Sequence, residues 1–165
     1  METIDLYDKN KNKLNKTFIR KKDTLLENEY YLLEQAWIVN DEGKILLTQR
    51  GLNKSYGGMW EATAGHVKAR ETDMEGILRE IKEEIGITLK NSDLKFIKSL
   101  LIKQAILDIW LVRKNINLSD VKLRENETID VKYVSFEEFK KMYNNKEIVQ
   151  NLDYFFDIYE QYINW

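Results

Sequence analysis

The sequence predicts a mixed β-sheet flanked by helices, an α+β or α/β sandwich. Three observations carry that reading. The chain runs through several strands, one helix, more strands and then helices. Its 165 residues suit one domain, spanning 1–165. A hydrophobic fraction of 43% beside a charged fraction of 33% supplies a core under a charged surface, which excludes wholesale disorder.

The elements follow in order. Residues 2–22 alternate polar and apolar side chains about the turn-like Asp8-Lys9-Asn10-Lys11, giving a hairpin within an N-terminal extension, 1–28. Residues 32–40, centred on Ala36-Trp37-Ile38-Val39, form a strand, and Asp41-Glu42-Gly43 turns it back as a second strand over 44–49. Gly57-Gly58 breaks the pattern before a short strand at 59–65. Residues 94–103, 105–113 and 131–134 read as further strands, and 136–144 as a helix. A last helix over 149–164, inside the C-terminal segment 147–165, sets Leu152, Phe155, Phe156, Tyr159 and Ile163 at steps of three and four. That stripe either buries against its own sheet or docks a second copy of the chain as a homodimer.

Composition narrows the chemistry. Lysine plus arginine is 26 against 28 acids, a net charge of −2, which gives no support for a specific nucleic-acid or membrane partner. With 0 cysteines, disulfide frameworks, zinc–thiolate sites and thiol nucleophiles are excluded, and 1 histidine excludes a multi-histidine metal site. The first residues, Met-Glu-Thr-Ile-Asp-Leu-Tyr-Asp, carry acids where a signal peptide needs bases. No window approaches the roughly eighteen apolar residues of a membrane span. The expectation is a cytoplasmic protein.

One helix carries chemistry. Over 72–85, Thr72 and Glu75 make a capping-box pattern and Gly86 stands where a terminal glycine belongs. Met74, Ile77, Leu78, Ile81 and Ile85 share one stripe. At roughly 100° per residue its centre lies about 110° from Glu80, Glu83 and Glu84. Those acids, at i, i+3 and i+4, crowd one turn. They form either a solvated acidic face relieved by Arg79 and Lys82, or a hard-cation site of the kind that Mg2+ or Mn2+ completes with substrate phosphates.

The wider spacing decides for the second. Gly65-His-Val-Lys-Ala-Arg-Glu71-Thr-Asp-Met-Glu-Gly-Ile-Leu-Arg79-Glu80-Ile81-Lys-Glu83-Glu84-Ile-Gly86-Ile87 resembles the Nudix box at all its fixed and aliphatic positions. The resemblance implies a Nudix-type α/β/α sandwich and a Mg2+-dependent hydrolase (Mn2+ as alternative ion). Its substrate would be a nucleoside diphosphate derivative or a related small diphosphate. It implies that Glu80 and Glu84 hold the metal, with Glu83 a further ligand or water-activating acid and the Ala64 carbonyl an added ligand. Arg79 and Glu71 would orient the acids. A general base often lies outside the box, and Glu125 and Glu127 are the candidates. Departures from the pattern are Ala64 for a glycine, Arg70 for the glycine before Glu71, and no proline ahead of the box.

A weaker resemblance points to a branch related to isopentenyl-diphosphate isomerase, carried by Trp37-Ile-Val-Asn, Leu46-Leu-Thr-Gln-Arg50, Gly58-Met-Trp60 and Ala64-Gly65-His66. The isomerase looks for a cysteine where Ala64 stands, so the ancestry is kept and the isomerase function disfavoured. The other alternative, a catalytically silent Nudix-fold binding module, would be expected to lose box acids. Arg50 is the candidate for a forked contact to a substrate phosphate, and His66 for contact with metal or phosphate. Trp60, Tyr30, Tyr31 and Trp37 read chiefly as packing.

Overall fold

The computed structural model of the protein describes residues 2–163. Its centre is strand β3 (Tyr31–Val39), which pairs in parallel with β8 (Ala105–Arg113) along nine residues, Tyr31↔Ala105 to Val39↔Arg113. The other edge of β3 is shared. Strand β6 (Thr63–His66) takes Leu33–Ala36, and β4 (Ile45–Arg50) takes Ile38 and Val39. Beyond β4 lie β5 (Trp60–Glu61) and β9 (Thr128–Val134), while β7 (Leu94–Ile102) closes the far edge antiparallel to β8. A separate antiparallel hairpin, β1 (Thr3–Tyr7) and β2 (Lys13–Ile19), precedes this seven-stranded sheet.

Side chains alternate across a strand, so β3 feeds two cores. Ala36 and Ile38 pack with Ile77, Ile81 and Ile85 of helix α1 (Asp73–Ile85). Trp37 and Val39 face the other way, against Phe139 and Met142 of α2 (Phe136–Asn144) and Phe155 and Ile158 of α3 (Tyr154–Tyr162). Trp37 stacks on Phe155 with ring centroids 3.5 Å apart. The mixed sheet between helices is the expected α/β/α sandwich. Phe155 and Ile158 are buried in this core, so the C-terminal stripe covers its own sheet. Among the described residues no helix is long and apolar enough to cross a membrane.

Three elements differ from their sequence reading, the simplest being β9, which begins at Thr128, three residues before the strand read over 131–134. The strand read over 59–65 is two, broken at Ala62 between partners on β4 and on β3. The last helix begins at Tyr154, five residues later than its stripe suggests. Ile148 bridges to Trp60, and Asn151 takes a left-handed backbone, φ 70°, that ends any continuous helix there. Leu152 still reaches the core, from a turn. Asn164, also read into that helix, and Trp165, the end of the C-terminal segment, lie outside the described residues.

Under the hairpin turn lies a buried acid group. Glu34 of β3 and Asp108 of β8 are register partners, both 0% exposed, and Asp73 opens α1. One carboxylate oxygen from each lies within 4.8 Å of the others. The ammonium of Lys11, from the hairpin turn, bonds both Asp73 and Asp108 and so fills the place of a cation. Ser99 Oγ donates to Asp108, and Trp110 Nε1 donates to one Glu34 oxygen, leaving Glu34 Oε1 without a partner. Burial pushes Glu34 up to about 9; the Trp110 bond opposes this and Asp108 adds to it. Glu34 is therefore protonated at neutral pH. Because its folded pKa is raised, the folded state binds the extra proton between about 4.5 and 9, and stability falls as pH climbs through that window. Glu34→Gln is expected to flatten this slope and to raise stability at pH 8–9 by about 1–3 kcal/mol, read by urea unfolding at pH 6 and pH 9. An unchanged slope would remove Glu34 as its source.

Candidate active site

Helix α1 is fixed at both ends and along its length. The Thr72 hydroxyl accepts from the Glu75 backbone N–H at 3.3 Å, and Glu75 Oε2 accepts from the Thr72 N–H at 2.8 Å. Gly86 closes the helix at φ 73°, its N–H donating to Lys82 O. The buried isoleucine stripe then sets the rotation, each side chain contributing on the order of 1.5–3 kcal/mol. As a result Glu80 and Glu84 turn inward, 8% and 7% exposed.

They meet β6 across a cavity of ≈ 360 Å³. Ala64, Gly65 and His66 form one wall, and Glu80 and Glu84 another. Gly65 is required by closeness: a Cβ there would fall on the Glu80 carboxyl. Arg50 and Lys54, from the end of β4 and the loop after it, and Arg124 and Glu127, from the loop before β9, also line it. Glu83 stands outside this lining, held by Arg124 at 2.8 Å and by Arg79 and Lys68 at 3.6 Å. Of the two loop acids, Glu127 lines the cavity and Glu125 is exposed away from it.

Arg79 organises the acids. Its Nε and Nη2 bond the two oxygens of Glu71 at 2.7 and 2.9 Å, Nη1 bonds Glu80 at 2.5 Å, and Nη2 also reaches the His66 carbonyl at 2.9 Å. Burial works against ionisation of Glu71, but Arg79 and the Lys68 N–H carry its pKa below the ordinary value. Glu80 is pushed up by burial despite Arg79. Glu84 is pushed well above the usual range, by burial first and then by Glu61 and Glu80. Its Oε2 is buried with no partner. His66 is held down to about 4, mainly by burial, so its imidazole is neutral at pH 7; it stacks on Tyr31 at 5.3 Å.

Glu61 is the acid that sequence reasoning missed. It sits on β5, is bonded by Arg50 Nη1 at 2.5 and 2.6 Å, and is pushed up by burial against that pairing. Arg50 is pinned from its other side, donating from Nε to Ser55 O at 2.7 Å. A lone glutamate after Trp60 carries no spacing signal, so only the fold reveals it. Where the box departs from glycine, Arg70 keeps the left-handed backbone, φ 75°, and its N–H donates to Asp5 Oδ2 of the hairpin at 2.9 Å. Trp37 is wholly core, while Trp60 is partly buried under Lys132.

An orphaned, buried carboxylate oxygen on Glu84, next to a second inward acid and a β6 backbone too close for a side chain, fits a small hard cation. All the donors are oxygens, which suits Mg2+ or Mn2+ over softer metals.

The chain resembles known proteins in sequence and in fold. Residues 35–154 match the family model described as NUDIX domain. An uncharacterized Nudix hydrolase of Listeria innocua is 30% identical over 158 residues, 94% of this chain and 91% of its own. A crystal structure from Deinococcus radiodurans shares the fold with a TM-score of 0.73 over 90% of this chain and 92% of its own, at 17% identity. An isopentenyl-diphosphate Delta-isomerase of Salmonella paratyphi B is 32% identical over 66 residues, 39% of this chain and 36% of its own.

Adding a methyl at Gly65 tests the closeness of β6 to α1. Gly65→Ala is expected to destabilise by about 1–3 kcal/mol through the clash with Glu80. In a Glu80→Ala background the same change should cost little. A double-mutant cycle by urea unfolding reads the coupling, and additive costs would mean the strain lies elsewhere.

Proposed function

The chain belongs to the Nudix hydrolase family, and from that premise we propose a Mg2+-dependent hydrolase that cleaves a diphosphate linkage in a nucleoside diphosphate derivative or related small molecule. The observation that carries the reading is the unpartnered Oε2 of Glu84, buried beside Glu80 on the cavity floor. In this reading Glu80 and Glu84 hold the cation, with the Ala64 carbonyl as a further oxygen donor, while Glu83, outside the cavity lining, steadies Arg124 at its rim; Mn2+ is the alternative ion. The bound cation would neutralise charge on the diphosphate and promote ionisation of water.

The remaining steps belong to the chain itself. Arg79, clasped by Glu71, keeps the Glu80 carboxylate in place. Arg50, fixed by Glu61 and Ser55 through Nη1 and Nε, has Nη2 left to donate to a phosphate oxygen, a single contact and not the forked one its sequence position suggests. His66, neutral at working pH, offers a hydrogen bond without adding charge. Glu127, steadied by Lys54 at 3.1 Å and Arg124 at 3.4 Å, takes the proton of the attacking water. An isomerase reading is disfavoured, since Ala64 stands where the isomerase looks for a cysteine and the chain has 0 cysteines. A silent binding module is disfavoured by the complete acid set.

Chromatographic detection of the cleaved monophosphate products from a panel of nucleoside diphosphate derivatives and isopentenyl diphosphate, with Mg2+ and with chelator, tests the proposal. Turnover is expected only with metal, and Glu84→Gln should lower kcat by about 10²–10³-fold. The same variant, free of metal, should melt higher than the native chain, because it loses a buried, destabilised carboxylate. Undiminished turnover in Glu84→Gln would overturn the assignment.

A further inference from the structure

The family match begins at residue 35, yet the site does not. Glu2, Arg20 and Lys21, from the N-terminal hairpin and its exit, line the cavity that contains Glu80 and Glu84. The same three residues and Glu127 line a second cavity of ≈ 320 Å³. The two spaces share all four of these residues, so the second opens off the first.

The hairpin is fastened in place. Tyr7 and Tyr30 exchange backbone hydrogen bonds at 2.8 and 2.9 Å, the Ala69 N–H donates to Thr3 O at 2.8 Å, and Arg70 N–H donates to Asp5. Together with Lys11 on Asp73 and Asp108, these bonds tie it to the box loop and to the start of α1. Its cationic end is therefore held at the cavity before any ligand arrives.

The charge there is unbalanced. Arg20, Lys21, Arg50, Lys54 and Arg124 line the first cavity against Glu2, Glu80, Glu84 and Glu127. If the two helix acids serve a cation, Glu61, Glu83, Glu127 and Glu2 still answer Arg50, Arg124, Lys54 and Arg20, which leaves Lys21 as the basic group in excess. Arg20 pairs with Glu2 at 3.1 Å. The exposed Lys21 ammonium has no acid partner among the described residues, and Lys21 leaves the strand through a left-handed turn, φ 66°. No Phe, Tyr or Trp among the described residues lines either cavity, so neither offers a stacking platform for a base.

We infer that the hairpin supplies a second anion subsite, in which Arg20 and Lys21 bind a phosphate of the substrate beyond the linkage that is cleaved. This rests on the hydrolase reading and deepens it. The substrate class is a polyanionic diphosphate, with a charged group distal to the scissile bond, and not one whose distal part is a neutral sugar or a hydrocarbon.

Two measurements on the full chain separate this inference from the reading beneath it. The first is calorimetric binding of inorganic tripolyphosphate and of pyrophosphate, with Ca2+ present, to the native chain and to Lys21→Asn and Arg20→Ala. Asparagine accepts the left-handed backbone, so Lys21→Asn removes charge without straining the turn. The native chain should bind tripolyphosphate at least about tenfold more tightly than pyrophosphate, and each variant should lose most of that margin. The second is hydrolysis of a nucleoside triphosphate and of a nucleotide sugar. The variants should raise KM about tenfold for the triphosphate, with kcat kept, and leave the nucleotide sugar unchanged. No tripolyphosphate margin, or equal effects on both substrates, overturns the subsite. A retained, hairpin-dependent margin without any turnover supports the subsite and counts instead against the hydrolase.

Discussion

Several carboxylates must stand close together and largely out of water for this site to exist, and that constraint governs the structure around it. Like charges in a poorly solvated pocket raise one another's pKa, as they do at Glu84. Two arginines make the crowding tolerable. Arg79 spans Glu71, Glu80 and the His66 carbonyl, and Arg50 closes on Glu61. Each is itself anchored, so neither cation can drift from the acid it neutralises. Glu84 lies beyond both and keeps the strain that a metal would relieve. Removing either arginine would strand a buried acid, which costs far more than an exposed pair contributes.

The rest of the fold serves to hold that arrangement still. The isoleucine stripe of α1 fixes which way the acids face, and the capping box and Gly86 fix where the helix begins and ends. On the opposite side of the sheet, the aromatic packing of Trp37, Phe139 and Phe155 seats the other helices without entering the site. Shape and charge are thus assigned to different faces of one sheet, and β3 contributes to both.

Much of this is legible in the sequence because its signals are local. The helix over 72–85 announces itself by caps and period, and the box acids by fixed spacing along one element. The hairpin about residues 8–11 and the strand pair around Asp41-Glu42-Gly43 are set by turns a few residues long. What escapes is set by distance along the chain. Lys11 meets Asp73 and Asp108 across sequence separations of 62 and 97 residues, and no periodicity encodes such a meeting. Glu61 is a single acid whose importance arises only when β5 carries it to Arg50 and toward Glu84. The start of α3 misleads for another reason. Leu152 keeps helical spacing with Phe155 and Phe156, but it enters the core from a turn, because Ile148 is already committed to Trp60.

The shared edge of β3 has one more consequence. Because β6 and β4 divide that edge between them, the box loop and the β4–β5 loop leave the sheet as neighbours, while the hairpin approaches from outside the seven strands. The exposed side chains of residues 2–22 can therefore be rewritten by evolution with little consequence for the main ladder, provided the buried Ile4, Asp5 and Leu6, Lys11 and the few backbone bonds survive. In the proposed reading, the metal-holding acids and the distal phosphate subsite sit on separately inheritable pieces of chain. Descendants of one such gene could keep a single chemistry and still come to serve different metabolites.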